Sequence, residues 1–307
     1  GRVVSATLKE YKDQQGEPLI LFNEEESAMN IAFEGKNENI LTEELFFQPM
    51  NVSDSTVTMR LTTTGAGYID FAYRLLPDAY MLDFSIRANG MQNFFPAAQK
   101  SLNIEWWQRA RQQEKGFDFE QRYTSLTYKP VDDGSDYLSE FKEEKETFEE
   151  PLEWIAFKNQ FFSSVLIAQN NFENATLESV PEEKGSGFMK NYTAEMTTFF
   201  DPTGKEATNL QFYLGPNHFK TLLASNDLCI NKNEDPELED LVYLGWPLIR
   251  WINRWFTINL FDWLSGWGLN MGIVLLLMTL IVKALVYPAT YKSFMSSAKM
   301  RALKPHV

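Results

Sequence analysis

One run of nineteen residues, LNMGIVLLLMTLIVKALVY at positions 269–287, constrains this chain more than any other feature. Wound as a helix at about 1.5 Å per residue it reaches roughly 28 Å, close to the ~30 Å hydrocarbon core of a bilayer. The flanks give it a direction. Lys292, Lys299, Arg301 and Lys304 follow it with no acidic residue among them, and short basic loops are retained on the cytoplasmic side. The C-terminal tail is therefore expected in the cytosol, and the acidic body before residue 269 on the other side.

The run contains one charge, Lys283, about 21 Å along the helix. A lysine at such depth costs about 2.5–3.5 kcal/mol on insertion scales. Two readings of it stay open. The ammonium snorkels over the remaining ~6 Å to the cytoplasmic headgroups, or it lines a wet, protein-walled groove, with Thr279 one turn earlier on the same face.

Of 28 basic and 42 acidic residues, five basic and no acidic ones fall from residue 269 onward, which leaves 23 against 42, a formal −19, in the preceding part. Nucleic-acid binding needs clustered Lys and Arg on phosphates, so the acidic body excludes it. Cys229 is the single cysteine, so no disulfide framework and no thiolate metal cluster is expected. His218 and His306 have no second ligand at metal-binding spacing and read as surface or structural residues. The start at Gly1 shows no signal peptide, and the end falls within a basic helical stretch, so the sequence reads as a fragment of a longer membrane protein.

Upstream the dominant signal is alternation of period two, the signature of half-buried strands. Val57, Met59 and Leu61 alternate with Thr58 and Arg60; Ile69, Phe71, Tyr73 and Leu75 with Asp70, Ala72 and Arg74; Tyr80, Leu82, Phe84 and Ile86 with Met81, Asp83, Ser85 and Arg87. Turn chemistry at 64–67, at Leu76-Pro77-Asp78 and at Asn89-Gly90 separates them. A second β-rich block covers 101–107, 154–167, 187–200 and 210–214, with the charge run 140–150 as a solvated loop or edge. The expected fold is mainly β, a large antiparallel two-sheet sandwich over residues 1–215, followed by a helical segment and linker (216–236), an amphipathic interfacial helix (237–266), a transmembrane helix (267–288) and the start of a cytoplasmic helical hairpin (289–307).

In the amphipathic stretch Leu248, Trp251, Ile252, Trp255 and Phe256 fall on one face, opposite Arg250, Asn253, Arg254 and Thr257. Trp246, Trp251, Trp255, Trp263 and Trp267 are five of the eight tryptophans. Placed directly before the span, they read as anchors at the outer membrane interface. No GxSxG, HExxH, P-loop or strand-to-helix GxGxxG is present, so neither an enzyme nor a cofactor is expected.

The run GWGLNMGIVLLLMTLIVKALVYPATYKSFMSSAKMRALKP at 266–305 resembles the second transmembrane helix and first cytoplasmic loop of the YidC family of membrane-protein insertases. EWIAFKNQFFSSVLIA from Glu153 and LQFYLGPNHFKTL from Leu210 resemble the end of that family's large periplasmic domain. The resemblance implies an insertase and chaperone of the bacterial inner membrane, multi-pass in full length, with the β domain in the periplasm. Its implied partners are nascent membrane proteins, the lipid bilayer, the Sec translocon with its accessory subunits, and the signal recognition particle receptor or ribosome on the cytoplasmic side. Lys283 takes the position of the family's groove cation, usually arginine, so a planar bidentate fork is lost while the charge is kept. Thr279 matches a groove position, Tyr287, before Pro288, is assigned to the same substrate groove, and 291–305 matches the start of the cytoplasmic hairpin. Two other functions stay open: a membrane-tethered carbohydrate-binding sandwich, and a single-pass anchor or sensor.

Overall fold

A computed structural model describes residues 1–34, 39–63, 65, 67–96, 99–231 and 235–303. The chain divides into two compact units, Gly1–Val242 and Tyr243–Val307.

The first unit is mainly β, and every strand pairing among its described residues is antiparallel. A hairpin of Ala6–Lys12 and Pro18–Phe22 forms a small sheet of its own, and fourteen further strands are hydrogen-bonded into one continuous system. Its organising element is the strand Phe162–Pro181, which belongs to two sheets at once. Residues 162–168 pair with Thr208–Pro216 on one side and with Leu152–Lys158 on the other. Beyond Phe172 the same strand pairs with Phe188–Phe199 and Glu144–Phe148 instead. Between the two halves Asn171 adopts a left-handed φ of 61°, a conformation that asparagine tolerates better than most residues. A bend of this kind is how one strand turns the corner between packed sheets.

The two sheets lie face to face. Met29 and Ile31 of Ser27–Glu34 line the same cavity, about 110 Å³, as Phe71 and Tyr73 of Tyr68–Leu75. Six pairings separate those strands, roughly 29 Å along a flat sheet, so the system has closed into the expected sandwich. Its interior is aromatic: Trp106 stacks on Phe157 at 3.9 Å and Tyr73 on Phe84 at 4.5 Å between ring centroids.

A second core lies on the outer face of one sheet. Met81, Trp154, Val165, Ile167 and Tyr213 pack there against Leu222, Cys229, Leu238 and Leu241 of the segment that follows the last strand. The helix Phe219–Asn226 carries Leu222 and the 3₁₀ turn Leu238–Leu241 carries Leu238 and Leu241, with Cys229 between them. Residues 162–168 are therefore buried on both faces, and Met81, expected on a polar row, is fully buried. Alternation presumes one wet face, and here the last segment of the first unit itself covers it. Leu75, expected inside, is 51% exposed at a strand end. The charge run expected as a loop or edge forms the edge strand Glu144–Phe148, whose alternating charges suit an unpaired edge.

Two lysines are buried with the apolar core. Lys190 donates from Nζ to the Ser139 carbonyl at 2.8 Å and to Ser179 Oγ at 3.2 Å. Burial pushes its ammonium down from 10.5 to about 8, against the opposing pull of Glu140 and Glu144. Between about pH 8 and 10 the unfolded chain thus holds a proton that the native chain has released, and stability rises with pH in that window. Above pH 10 the buried phenols of Tyr73, Tyr192 and Tyr213, all raised by burial, act in the opposite sense. In urea melts, wild type is expected to gain about 1–2 kcal/mol on Lys190→Met between pH 7.5 and 9.5; a difference independent of pH would refute the assignment.

Candidate functional site

The second unit is helical. Gly245, at a φ of 87°, and Pro247 define where its first helix begins, since proline is favoured in a first turn whose amides have no partner. The stretch read as one amphipathic helix is resolved into Pro247–Ile252, a π-helical turn Asn253–Thr257, and Ile258–Ser265. The wide turn inserts one residue and disturbs the carbonyl ladder. Asn259 repairs it by donating from Nδ2 to the Trp255 carbonyl at 2.9 Å, and Asn253 donates to the Leu244 carbonyl at 3.0 Å. The inserted residue also rotates the following turns, so the apolar stripe from Trp251 to Phe256 is not continued straight into Ile258–Ser265. The side chain of Leu248 lies outside the described residues.

Trp246, Trp251, Trp255, Trp263 and Trp267 are all more than half exposed. Trp263 and Trp267 meet edge to face at 4.6 Å. Five exposed indoles in 22 residues of sequence form far more apolar surface than isolated surface aromatics explain, and such a surface marks a membrane or protein contact.

A turn containing Gly268, at a φ of 69°, reverses the chain, and Asn270 caps the next helix by accepting from the Gly272 amide at 2.9 Å. Leu264 and Val274 are the fully buried apolar side chains described in this unit. The long helix then runs unbroken over 33 residues, Met271–Leu303, about 50 Å. That exceeds the hydrocarbon thickness by roughly 20 Å. Its apolar half is long and apolar enough to cross a membrane, and only 6% of that window is buried by the protein.

Thr279, Lys283 and Tyr287 lie four residues apart on three successive turns, which brings them to one stripe. Tyr291 extends it, stacked on Tyr287 at 6.0 Å. Thr279 spends its hydroxyl on its own helix, donating to the Leu275 carbonyl at 2.8 Å, so Lys283 carries the polarity of the stripe. Pro288 sits within the helix and removes the amide that would bond the Ala284 carbonyl. Thr290 Oγ1 lies 2.9 Å from the Tyr287 carbonyl and 3.2 Å from that of Val286. Lys292, Lys299 and Arg301 are exposed on the last turns; Lys304 lies outside the described residues.

The sequence reading missed the polar groups that anchor the end of the first unit. Trp154 donates from Nε1 to the Pro236 carbonyl at 2.7 Å. Lys129, its register partner on the neighbouring strand, reaches Glu237 at 3.4 Å and the buried Glu153 at 3.6 Å. A lysine and a glutamate within otherwise apolar strand runs are the only hint the sequence offers of that arrangement.

Residues 1–258 match the family model of the YidC periplasmic domain. A membrane protein insertase YidC of Phocaeicola vulgatus is 72% identical over all 307 residues, and ones of Bacteroides fragilis and Parabacteroides distasonis are 54% and 44% identical. The match covers 100% of this chain and 48–49% of those proteins, so the chain spans about half the length of the curated relatives it matches. Among solved structures, a galactose mutarotase related enzyme of Lactobacillus acidophilus aligns over 69% of this chain and 97% of its own, at 10% identity and a TM-score of 0.39. With the periplasmic-domain match extending to residue 258 and close relatives aligned along its whole length, the chain belongs to the YidC family of membrane protein insertases.

Proposed function

We propose that this chain is the outer-domain half of an insertase of the bacterial inner membrane, which receives nascent membrane proteins and releases their apolar segments into lipid. The observation that supports it most is the stripe on the long helix: one cation, Lys283, between Thr279 and Tyr287, on a span that the protein leaves uncovered. The comparisons support this reading rather than the sugar-binding sandwich or the single-pass anchor.

In this reading Lys283 faces a hydrophilic groove completed by parts of the protein outside this chain. A desolvated ammonium there attracts acidic or polar parts of an incoming segment, because the field of a charge is far stronger in a low dielectric than in water. The driving force is burial of the segment's apolar surface in lipid, at about 25 cal/mol per Å². Chemistry of bond making or breaking is not involved. The tryptophan-rich helices 247–265 lie in the outer interface and set the depth of the span. The β unit faces the periplasm, the basic end of the long helix faces the cytosol, and the protein works alone or with the Sec translocon and its accessory subunits. The cytoplasmic end receives substrate from the ribosome or the signal recognition particle receptor.

The test is Lys283→Ala in the full-length protein. Insertion of a substrate with an acidic translocated tail is expected to fall about tenfold, the equivalent of ~1.4 kcal/mol, while Lys283→Arg keeps it. Unchanged insertion by the alanine variant would return Lys283 to the snorkelling reading.

A further inference from the structure

The outward face of the second sheet holds an open trough of about 540 Å³, within the size range of ligand sites. It comes from side-chain size along two adjacent register rows. One row runs Thr58, Ala72, Ser85, Asn209 across four neighbouring strands and is low. The next runs Thr56, Arg74, Asp83, Gln211; its first three residues form a wall, and at the fourth strand Ile230 lines the trough above the buried Gln211. Gln169, at the corner where the long strand changes sheets, closes one end and accepts from Asn209 Nδ2 at 2.7 Å. Three strand spacings give the trough a length of about 14 Å, room for about four residues of extended chain.

Its chemistry selects among ligands. Tyr73 and Phe84 touch it only from beneath and are buried inward, so it has no ring on which a sugar could stack. The hydroxyls of Thr58 and Ser85 and the carboxamides of Gln169 and Asn209, each able to donate and accept, share it with the apolar Ala72 and Ile230 and suit the alternating amides and carbonyls of a peptide backbone. The wall carries one cation with capacity to spare. Arg74 Nε and Nη2 both go to Asp83 Oδ2, at 2.9 and 2.6 Å, and Gln211 takes the other oxygen of Asp83 at 2.7 Å. Both oxygens of Asp83 are thereby engaged, and Arg74, 65% exposed, keeps a nitrogen of its fork for a further acceptor. On a body of formal charge −19, the Arg74–Asp83 pair leaves the trough without net charge, and the spare nitrogen of Arg74 is its donor for a carboxylate.

We propose that the trough binds an extended, carboxylate-bearing polypeptide segment, the translocated hydrophilic tail of the incoming chain, with Arg74 engaging an acidic side chain and the floor engaging the backbone. This rests on the insertase reading. The test uses the full-length protein in proteoliposomes with a photocrosslinking amino acid in place of Thr58 or Ser85. The control position is Glu195, exposed on the outward face of the other sheet. The probe is a single-span test protein arrested with an acidic tail across the membrane. Crosslinks to the tail are expected from positions 58 and 85 and not from 195. Arg74→Gln, or a tail with Asp and Glu changed to Asn and Gln, should cut their yield about tenfold, as for one charge-assisted hydrogen bond. Normal insertion with no crosslink above the control would overturn the trough alone. Normal crosslinks insensitive to Arg74 and to tail charge would overturn the carboxylate assignment. Absence of insertion altogether would overturn the insertase reading, and the trough proposal with it.

Discussion

Trp154→Ala is expected to lower the stability of the first unit by about 3–5 kcal/mol, the range for removing a fully buried large aromatic side chain. The indole is completely enclosed and joins the sheet to its cover. Its ring packs among Val165, Ile167 and Tyr213 of the outer core and against Leu238 and Leu241, and its Nε1 satisfies the Pro236 carbonyl. Truncation therefore opens a cavity and leaves a carbonyl without its donor, two costs that add. Trp154→Phe keeps most of the apolar volume and loses the donor alone, so it should cost roughly 1–3 kcal/mol. Chemical denaturation gives the global loss. Amide exchange should also quicken through Phe219–Asn226 and Leu238–Leu241 more than in the strands facing the inner core. Equal protection of both regions in Trp154→Ala would show that the segment is not held by this residue.

Lys129→Met is expected to cost about 3–5 kcal/mol although methionine has nearly the same length, because it withdraws the cation beside a carboxylate that stays buried. Glu153 is 1% exposed, and Lys129 Nζ is 3.6 Å from one of its oxygens while donating to the Asp133 carbonyl at 2.8 Å. The double variant Lys129→Met with Glu153→Gln removes both charges and should recover most of the loss, since apolar or neutral replacement of a whole buried pair is often near neutral. The cycle of single and double variants isolates the pairing energy. If the double variant is as unstable as the sum of the two singles, the pair contributes through packing and not through charge. Lys129 also reaches Glu237, a residue held at a left-handed φ of 47°. Adjacent strands thus secure the two consecutive residues Pro236 and Glu237, five residues before the first unit ends at Val242.

What was legible in advance follows from periods that single residues can carry. Phe71 and Tyr73, and Phe84 and Ile86, lie in the inner core as their alternation requires, and the edge nature of 144–148 could be read from its charges. The bend of the long strand at Asn171 was not legible, because QNNFEN at 169–174 has neither glycine nor proline, and the change of sheet is set by which strands pair on each side. The outer core was not legible for a related reason. Period-two analysis assigns one face to water, and only the cover formed by Leu222, Cys229, Leu238 and Leu241 over that face makes Met81 and Val165 interior. At the candidate site, the span, its single lysine and its tryptophan flank were readable from composition along a helix. The π-helical turn at Asn253–Thr257 and the bond that Asn259 donates into it were not, since a one-residue insertion leaves the local composition unchanged.

The amino-acid order alone determined a β body, an apolar helix with one charge in it, and a basic end, because those depend on the hydropathy of neighbours within a few turns or strand repeats. Only the tertiary structure decided which face of the sheet is dry, which lysines are buried with partners, and where a row of small side chains leaves a trough beside Arg74. Those features arise from residues tens to more than a hundred positions apart in sequence, such as Trp154 with Pro236 and Asp83 with Gln211, and no local pattern encodes a contact whose two halves are separated that far.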